Sequence, residues 1–296
     1  MNPITLYLAS GESLFTGGLL LIVAALLSFR KTSKWGLRFL NLLAWIALAM
    51  IVMASAPFHW AIYGGLAILF LAWFVAANAR RLHRSSAHKT FAALLISLLL
   101  FMGITELRFR PTPVLAHANH RALYVVGDSI SSGIVSGYPP WPEVFQNTYG
   151  IHVVNLSQPG IGAAEAVAPA RKIPDDDALV LIEIGGNDLL SGESTEDFRK
   201  DLLQLMTALW RPQRTLVMME LPLLPHRMGY GQVQRDLAEK YHVTLIPKRH
   251  FIHVLGGADA TSDGLHLSEA GTKRMAEFVH EIVGPALVAT PQSNPH

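Results

Sequence analysis

Long apolar segments fill the first third of the chain, whereas short apolar segments alternate with amphipathic ones in the rest. The long segments are residues 13–29, 37–54, 60–77 and 90–105. A membrane-spanning helix needs about 20 apolar residues, with about 17 as a minimum, so the outer two segments would have to borrow interfacial neighbours. Almost none of them has a polar face at the helical period, which favours spanning helices over a four-helix bundle in water.

The charges in the connecting loops predict the orientation of these helices. Arg30, Lys31, Lys34 and Arg38 separate the first two segments, and Arg80, Arg81, Arg84 and Lys89 separate the last two. Positive loops stay cytoplasmic, so four spans would place both termini outside, with the C-terminal region on the periplasmic side of a bacterial inner membrane. If one short segment does not span, this placement reverses. The middle of each predicted span contains no Asp, Glu, Lys or Arg. Because charged residues within a membrane mark ion pathways, the sequence disfavours a transporter or channel.

After residue 121 the pattern predicts alternating strands and helices. Predicted strands cover residues 122–126, 152–156, 179–184, 215–221 and 243–246, and predicted helices cover 142–148, 163–171, 195–210, 232–241 and 268–283. Continuous apolar strands separated by helices are typical of an α/β domain with a parallel sheet covered on both faces. We therefore expect a transmembrane anchor of about four helices at 1–105, a linker at 106–120, an α/β domain at 121–287 and a disordered tail at 288–296.

Composition supports this division. The chain of 296 residues is 51% hydrophobic and only 16% charged, whereas soluble proteins carry about 25% charged residues. Residues 1–105 contain eight bases and one acid, while the remainder contains 16 bases and 21 acids. The net charge of +2 therefore averages two different regions and does not indicate nucleic-acid binding. Because the chain has no cysteine, a disulfide scaffold and a thiolate nucleophile are excluded.

Four short polar segments fall at the ends of predicted strands or before the last helix. They are Gly127-Asp128-Ser129-Ile130, residues 155–160 ending in Pro159-Gly160, Gly185-Gly186-Asn187-Asp188, and Asp263-Gly264-Leu265-His266. In open α/β sheets, active groups collect at the carboxyl ends of the strands.

These segments contain the parts that acyl transfer requires. A serine such as Ser129 needs a base, usually a histidine that a carboxylate orients, and Asp263 and His266 have the spacing to lie side by side. The backbone N–H groups of Ser129 and Gly160 and the Asn187 amide are candidate donors to an oxyanion. Residue 131 is a serine, so the Gly-x-Ser-x-Gly elbow of α/β-hydrolases is not met.

Taken together, the four segments resemble the SGNH/GDSL hydrolases over residues 122–283. Residues 141–145 are similar to the corresponding stretch of the family's lysophospholipase/thioesterase/arylesterase-like branch. The resemblance implies a flavodoxin-like three-layer α/β/α fold, no metal or organic cofactor, and cleavage of esters or thioesters. It further implies that Ser129 is the nucleophile, His266 the base, Asp263 its orienting carboxylate, and Gly160 and Asn187 parts of the oxyanion hole. Ile130 stands where the family name has leucine, a conservative difference.

Three further residues are candidates for a substrate pocket. Tyr138 and Trp141 follow the nucleophile and could either wall an apolar pocket or belong to the core. His226 lies in a segment broken by Pro and Gly after the fourth predicted strand.

The sequence thus predicts a membrane-anchored serine esterase that acts on an ester-bearing lipid, glycan or small molecule, with membrane lipid as its other partner. The alternatives are an envelope glycan O-acyltransferase or deacetylase that uses the same acyl-enzyme, and a catalytically silent membrane scaffold. The sequence does not identify any protein partner.

Overall fold

A computed structural model describes residues 3–30, 33–79, 81–133, 137–174, 178–223, 226–257 and 259–289. The chain divides into two units. The helical unit contains Tyr7–Pro111 and Leu223–Gly229, and the α/β unit contains Met1–Leu6, Thr112–Pro222 and Tyr230–His296. Residues 290–296, most of the predicted disordered tail, lie outside the described residues.

Five helices form before the sheet begins: α1 (Pro3–Ala9), α2 (Glu12–Leu27), α3 (Lys34–Met53), α4 (Trp60–Asn78) and α5 (Ser86–Leu107). Helices α3, α4 and α5 are long and apolar enough to cross a membrane, whereas α2 has only 16 residues. At 1.5 Å per residue α2 is about 24 Å long, which is less than the roughly 30 Å of a hydrocarbon core. Three of the four predicted spans therefore meet the length criterion, and the orientation that depended on four spans stays a prediction.

Small residues and paired amides hold the helices of this unit together. A Cβ atom built on Gly17 of α2 would lie 2.7 Å from the Ala47 carbonyl oxygen of α3. The side-chain amides of Asn41 and Asn78 exchange hydrogen bonds of 2.8 and 3.2 Å between α3 and α4. Close approach at small residues and polar contacts between helices are typical of helix packing in membranes.

The α/β unit is built on a five-stranded parallel sheet with the order β2-β1-β3-β4-β5. Its strands are β1 (Ala122–Gly127), β2 (His152–Asn155), β3 (Leu179–Glu183), β4 (Thr215–Met219) and β5 (Thr244–Ile246). The helices are α6 (Ser129–Ser132), α7 (Trp141–Tyr149), α8 (Val167–Ala170), α9 (Gly186–Ser191), α10 (Thr195–Leu209), α11 (Met228–Lys240), α12 (Lys248–Leu255) and α13 (Glu269–Val283), followed by a 3-10 turn at Gly284–Ala286. This strand order is the flavodoxin-like one, and it confirms the predicted fold class.

The predicted helix at 163–171 is wrong over its first half. Only Val167–Ala170 is helical. The Ala163 N–H donates to the Asp188 carboxylate at 2.9 Å, so this end of the segment is held by a side chain from the neighbouring turn rather than by a helical carbonyl. Helices α6, α9 and α12, which have between four and eight residues, were not predicted at all.

Strand register brings the polar strand ends together. Gly127, the last residue of β1, is paired with Glu183, the last residue of β3, and Val125 is paired with Asn155 at the end of β2. The buried apolar core beneath them includes Leu123, Val125 and Leu181 of the strands. The residues that follow each strand therefore lie at one edge of the sheet.

Candidate active site

Ser129 is the first residue of α6, directly after β1. The Asp128 carboxylate caps this short helix by accepting the Ile130 N–H at 3.0 Å. Gly127 leaves no room for a side chain, because a Cβ there would lie 2.8 Å from the Cβ of Ser131. The turn thus directs the chain sharply from the sheet into α6 and leaves Ser129 half-buried.

A tight loop before α13 presents His266. The two chain segments flanking it are bridged at Thr261 and Leu267. Asp263 Oδ1 accepts the Leu265 and His266 N–H groups at 2.9 and 2.8 Å, while its Oδ2 lies 2.6 Å from His266 Nδ1.

Those contacts fix the chemical state of the pair. The hydrogen bond from the His266 ring is the main cause that lowers the pKa of Asp263, so this carboxyl is ionised near neutral pH. Because an ionised carboxylate can only accept, Nδ1 of His266 donates, which leaves Nε2 as the basic nitrogen.

Gly160 and Asn187 occupy neighbouring turns. Gly160 is exposed and has a φ of +77°, a conformation that favours glycine. The Asn187 amide nitrogen donates to the Ile161 carbonyl oxygen at 2.9 Å and to Asp128 Oδ2 at 3.3 Å. The longer bond is the weaker one. Asn187 is therefore already held by the residue that precedes Ser129.

Two cavities receive these side chains. One is lined by Ser129, Tyr138 and His266, among others, and the Tyr138 hydroxyl donates to the Leu267 carbonyl oxygen at 2.7 Å. The other is lined by Gly160 and Asn187 together with several carboxylates. The structure thus brings the predicted nucleophile and base to one cavity, and two of the three predicted oxyanion donors, Gly160 and Asn187, to the other.

Trp141 lies in the core and not at a pocket wall. Trp141 is fully buried in the core of the α/β unit. Of the two roles that the sequence allowed for Trp141, the structure therefore supports the core residue and not the pocket wall. His226 belongs to the helical unit, where it is exposed with a φ of +68°. Its part in substrate binding stays a prediction.

Sequence reasoning missed two buried carboxyl groups beside Ser129. Burial is the main cause that raises the pKa of Asp128 to about 6, and burial followed by the charge of Asp128 raises the pKa of Glu183. Glu183 Oε2 accepts the Ser131 hydroxyl at 2.9 Å, and Ser131 Oγ accepts the indole N–H of Trp141 at 3.1 Å. A lone glutamate at the end of a wholly apolar strand was the signal that could have revealed Glu183.

We also searched the part of the chain that the structure describes for side chains that could bind a metal ion. This part of the chain contains no group of three or more His, Asp or Glu side chains arranged to hold a metal ion.

Comparison with known proteins places this site in context. Residues 125–274 match the sequence profile of the GDSL-like lipase/acylhydrolase family. The chain is 28% identical to esterase TesA of Pseudomonas aeruginosa over 182 residues, which is 56% of this chain and 90% of the relative. It is also 28% identical to an arylesterase of Vibrio mimicus over 203 residues, 62% of this chain and 94% of the relative. A crystal structure of TesA aligns with 26% identity and a TM-score of 0.48, covering 55% of this chain and 98% of that one.

Proposed function

Because the chain belongs to the GDSL-like lipase/acylhydrolase family and is therefore a hydrolase of ester bonds, we propose that Ser129 is its nucleophile in a membrane-anchored serine esterase. The observation that carries the proposal is that Ser129 and His266 line one cavity, while Asp263 Oδ2 lies 2.6 Å from Nδ1 of the His266 imidazole. Nucleophile, base and orienting carboxylate are the three parts of a serine hydrolase triad.

In the first step, His266 Nε2 takes the Ser129 hydroxyl proton as Oγ attacks the ester carbonyl carbon. The tetrahedral intermediate collapses, the His266 proton passes to the leaving alkoxide, and the acyl group stays on Oγ as an ester. In the second step, His266 deprotonates a water molecule, which attacks the acyl-enzyme and releases the carboxylic acid with Ser129 restored.

Oxyanion stabilisation falls to the Ser129 and Gly160 N–H groups and to the Asn187 amide. The Asn187 amide is anchored by its 2.9 Å bond to the Ile161 carbonyl oxygen, and its 3.3 Å bond to Asp128 is long enough for that N–H to be shared with a developing negative charge. Preorganised donors of this kind contribute about 3 kcal/mol each to stabilisation of the transition state.

The proposal is tested with the full-length protein in detergent, using p-nitrophenyl acetate and esters of increasing chain length. We expect turnover to disappear in Ser129→Ala and to persist in Ser132→Ala, which removes another hydroxyl from the same helix. Esterase turnover that survives Ser129→Ala would contradict the proposal. Labelling of Ser129 by a fluorophosphonate without ester turnover would instead favour an acyltransferase.

The apolar helices support the membrane part of the proposal. Helices α3, α4 and α5 have the length and composition of membrane spans, and we propose that they anchor the hydrolase. The basic residues before α3 and between α4 and α5 would stay cytoplasmic, so the α/β unit that follows α5 would lie on the extracytoplasmic side. Loss of α2 as a span would therefore move the N-terminus and not the α/β unit. A topology reporter fused to the C-terminus tests the placement. A signal from the cytoplasm would overturn the sidedness while leaving the esterase proposal intact.

A further inference from the structure

Asp128 and Glu183 lie side by side at the ends of β1 and β3, where Gly127 pairs with Glu183 and the Asp128 N–H donates to the Glu183 carbonyl oxygen at 3.2 Å. Asp128 is 4% exposed and Glu183 is 2% exposed, and their side chains hydrogen-bond to one another. Two carboxyls in contact away from water do not both ionise, because the repulsion of two desolvated negative charges exceeds the cost of keeping one proton. One proton therefore belongs to the pair.

The hydrogen-bond partners and the burial of the two carboxyls decide which residue holds this proton. Asp128 accepts two N–H groups, from Ile130 at 3.0 Å and from Asn187 at 3.3 Å, and such donors stabilise the charged form of a carboxyl. Glu183 accepts the Ser131 hydroxyl at 2.9 Å and the backbone N–H of Asp128. It follows the fully buried Leu181 and Ile182 in β3, and this burial raises its pKa well above the ordinary value, whereas the pKa of Asp128 rises only to about 6. The proton is therefore expected on Glu183 and the negative charge on Asp128.

The remaining ionisable groups around the pair act in opposite directions. Asp188 of α9 carries a negative charge that raises the pKa of Asp128, while His266 of the loop before α13 lowers it when protonated. On the side of α6 and α7 the pair meets neutral groups, which are the Ser131 hydroxyl and, through it, the Trp141 indole. The pair thus has no fixed positive charge among these neighbours to neutralise a second carboxylate.

We propose that Asp128 and Glu183 form a single-proton pair in which protonated Glu183 donates to the Asp128 carboxylate and thereby positions the nucleophile turn and the Asn187 amide for catalysis. Neither carboxyl lines the Ser129 cavity, so both are positioning residues. The kinetic part of this inference rests on the proposed function, whereas the shared proton is measurable without turnover.

The kinetic test compares substitutions that keep or break the bonds. Glu183→Gln supplies an N–H donor to Asp128 and an oxygen acceptor to Ser131, so we expect kcat to stay within about 3-fold of the wild type. Glu183→Leu removes both bonds, and Asp128→Asn turns an N–H toward the Asn187 amide. For each of these we expect kcat to fall about 100-fold with little change in KM, because a misplaced reacting group costs roughly that much. Glu239→Gln, at an exposed position of α11, is the control.

The proton itself is tested by infrared spectroscopy of the full-length protein in detergent. The spectra are recorded at about pH 7, well above the ordinary pKa of a glutamate, in a Glu193→Gln background, because the pKa of Glu193 is itself raised to about 7. In this background we expect a protonated-carboxyl band that is present with Ser129→Ala, disappears with Glu183→Gln and persists with Glu239→Gln. We also expect the wild-type kcat to fall at alkaline pH as Glu183 loses its proton, and this fall to be absent in Glu183→Gln.

Three results would overturn the inference. They are a carboxyl band that survives Glu183→Gln, an alkaline fall in kcat that is the same in Glu183→Gln and the wild type, and a Glu183→Gln enzyme as inactive as Glu183→Leu. If Glu183→Leu does not fold, the kcat of Glu183→Gln and the infrared carboxyl band are sufficient to test the inference. Activity that survives Ser129→Ala would defeat the proposed function, but the infrared result would still decide whether the pair shares a proton.

Discussion

The helical unit and the α/β unit differ in the large apolar side chains that they expose and in the carboxyl groups that they bury. The helical unit leaves large apolar side chains exposed, such as Trp35 and Ile68 at 77% and 70%, and buries small residues such as Ala47. The α/β unit buries carboxyl groups, such as Asp128 and Glu183.

This difference indicates which unit is suited to a lipid environment and which unit is suited to catalysis. An exposed apolar exterior is favourable in lipid and costly in water. A buried charge is costly unless it is paired, as Glu220 is with Arg235 at 2.7 Å. The unit that retains buried carboxyls beside a serine and a histidine is therefore the one in which we expect catalysis, and the other unit is expected to provide attachment.

The largest effect is expected from His266→Ala. Without the base, Ser129 loses its activation, and kcat should fall by about 10⁴-fold or more. Ester hydrolysis by the full-length protein measures the loss, with His253→Ala at an exposed position of α12 as the control. The comparison fails if kcat changes equally in both variants. Retention of the His266→Ala protein in the membrane fraction would sharpen it, because attachment should not depend on the base.

A smaller loss is expected from Asn187→Ala. Removal of one oxyanion donor should lower kcat by about 10²- to 10³-fold with a minor change in KM. Steady-state kinetics on one ester checks this, and Asn147→Ala on the exposed face of α7 is the matched control. An increase in KM at unchanged kcat would show that Asn187 binds the substrate instead.

In the helical unit, Gly17→Ala should affect stability and leave catalysis unchanged. A Cβ at Gly17 would press on the Ala47 carbonyl oxygen at 2.7 Å, whereas a Cβ at Gly18 meets nothing within 4 Å. We expect Gly17→Ala to destabilise the helices by about 1–3 kcal/mol and Gly18→Ala to be neutral or stabilising. Thermal unfolding in detergent measures both, and a loss of kcat in Gly17→Ala would show that the two units do not act separately.

The smallest effect concerns the pH dependence of stability. Burial, followed by the charge of Asp188, raises the pKa of Glu193 to about 7. The folded protein therefore holds this proton more tightly than the unfolded chain, and stability falls as pH rises from about 4.5 to about 7. Glu193→Gln should reduce this loss of unfolding free energy by about 0.5 kcal/mol or less, because the Glu193 carboxyl is only partly buried. Apparent melting temperatures across this pH range test it, and an unchanged slope would contradict the assignment.

The sequence predicts regions governed by long apolar patterns better than regions governed by tertiary contacts. All five strands form within two residues of their predicted ends, because a strand buried on both faces is a continuous apolar segment. The short helices α6 and α9 were not predicted because side-chain caps and glycines, rather than an apolar pattern, determine where they begin. Asp128 does this for α6. The Asp128–Glu183 contact depends on strand register, which pairs Gly127 with Glu183 and cannot be obtained from either segment alone.

The site was predictable only in part, for the same reason. The order of the four polar segments points to Ser129, Asp263 and His266, and the structure places the latter two 2.6 Å apart. The sequence offered no means to decide that Trp141 is fully buried, since an aromatic residue after the nucleophile suits a pocket wall and a core equally well.

The most direct test of the account is the identity of the residue that a fluorophosphonate modifies in the full-length protein. Mass spectrometry of the digested protein should find one phosphonate adduct, on Ser129, which an ester substrate suppresses and which His266→Ala abolishes. An adduct on a different residue, accompanied by loss of esterase activity, would contradict the assignment of Ser129 as the nucleophile.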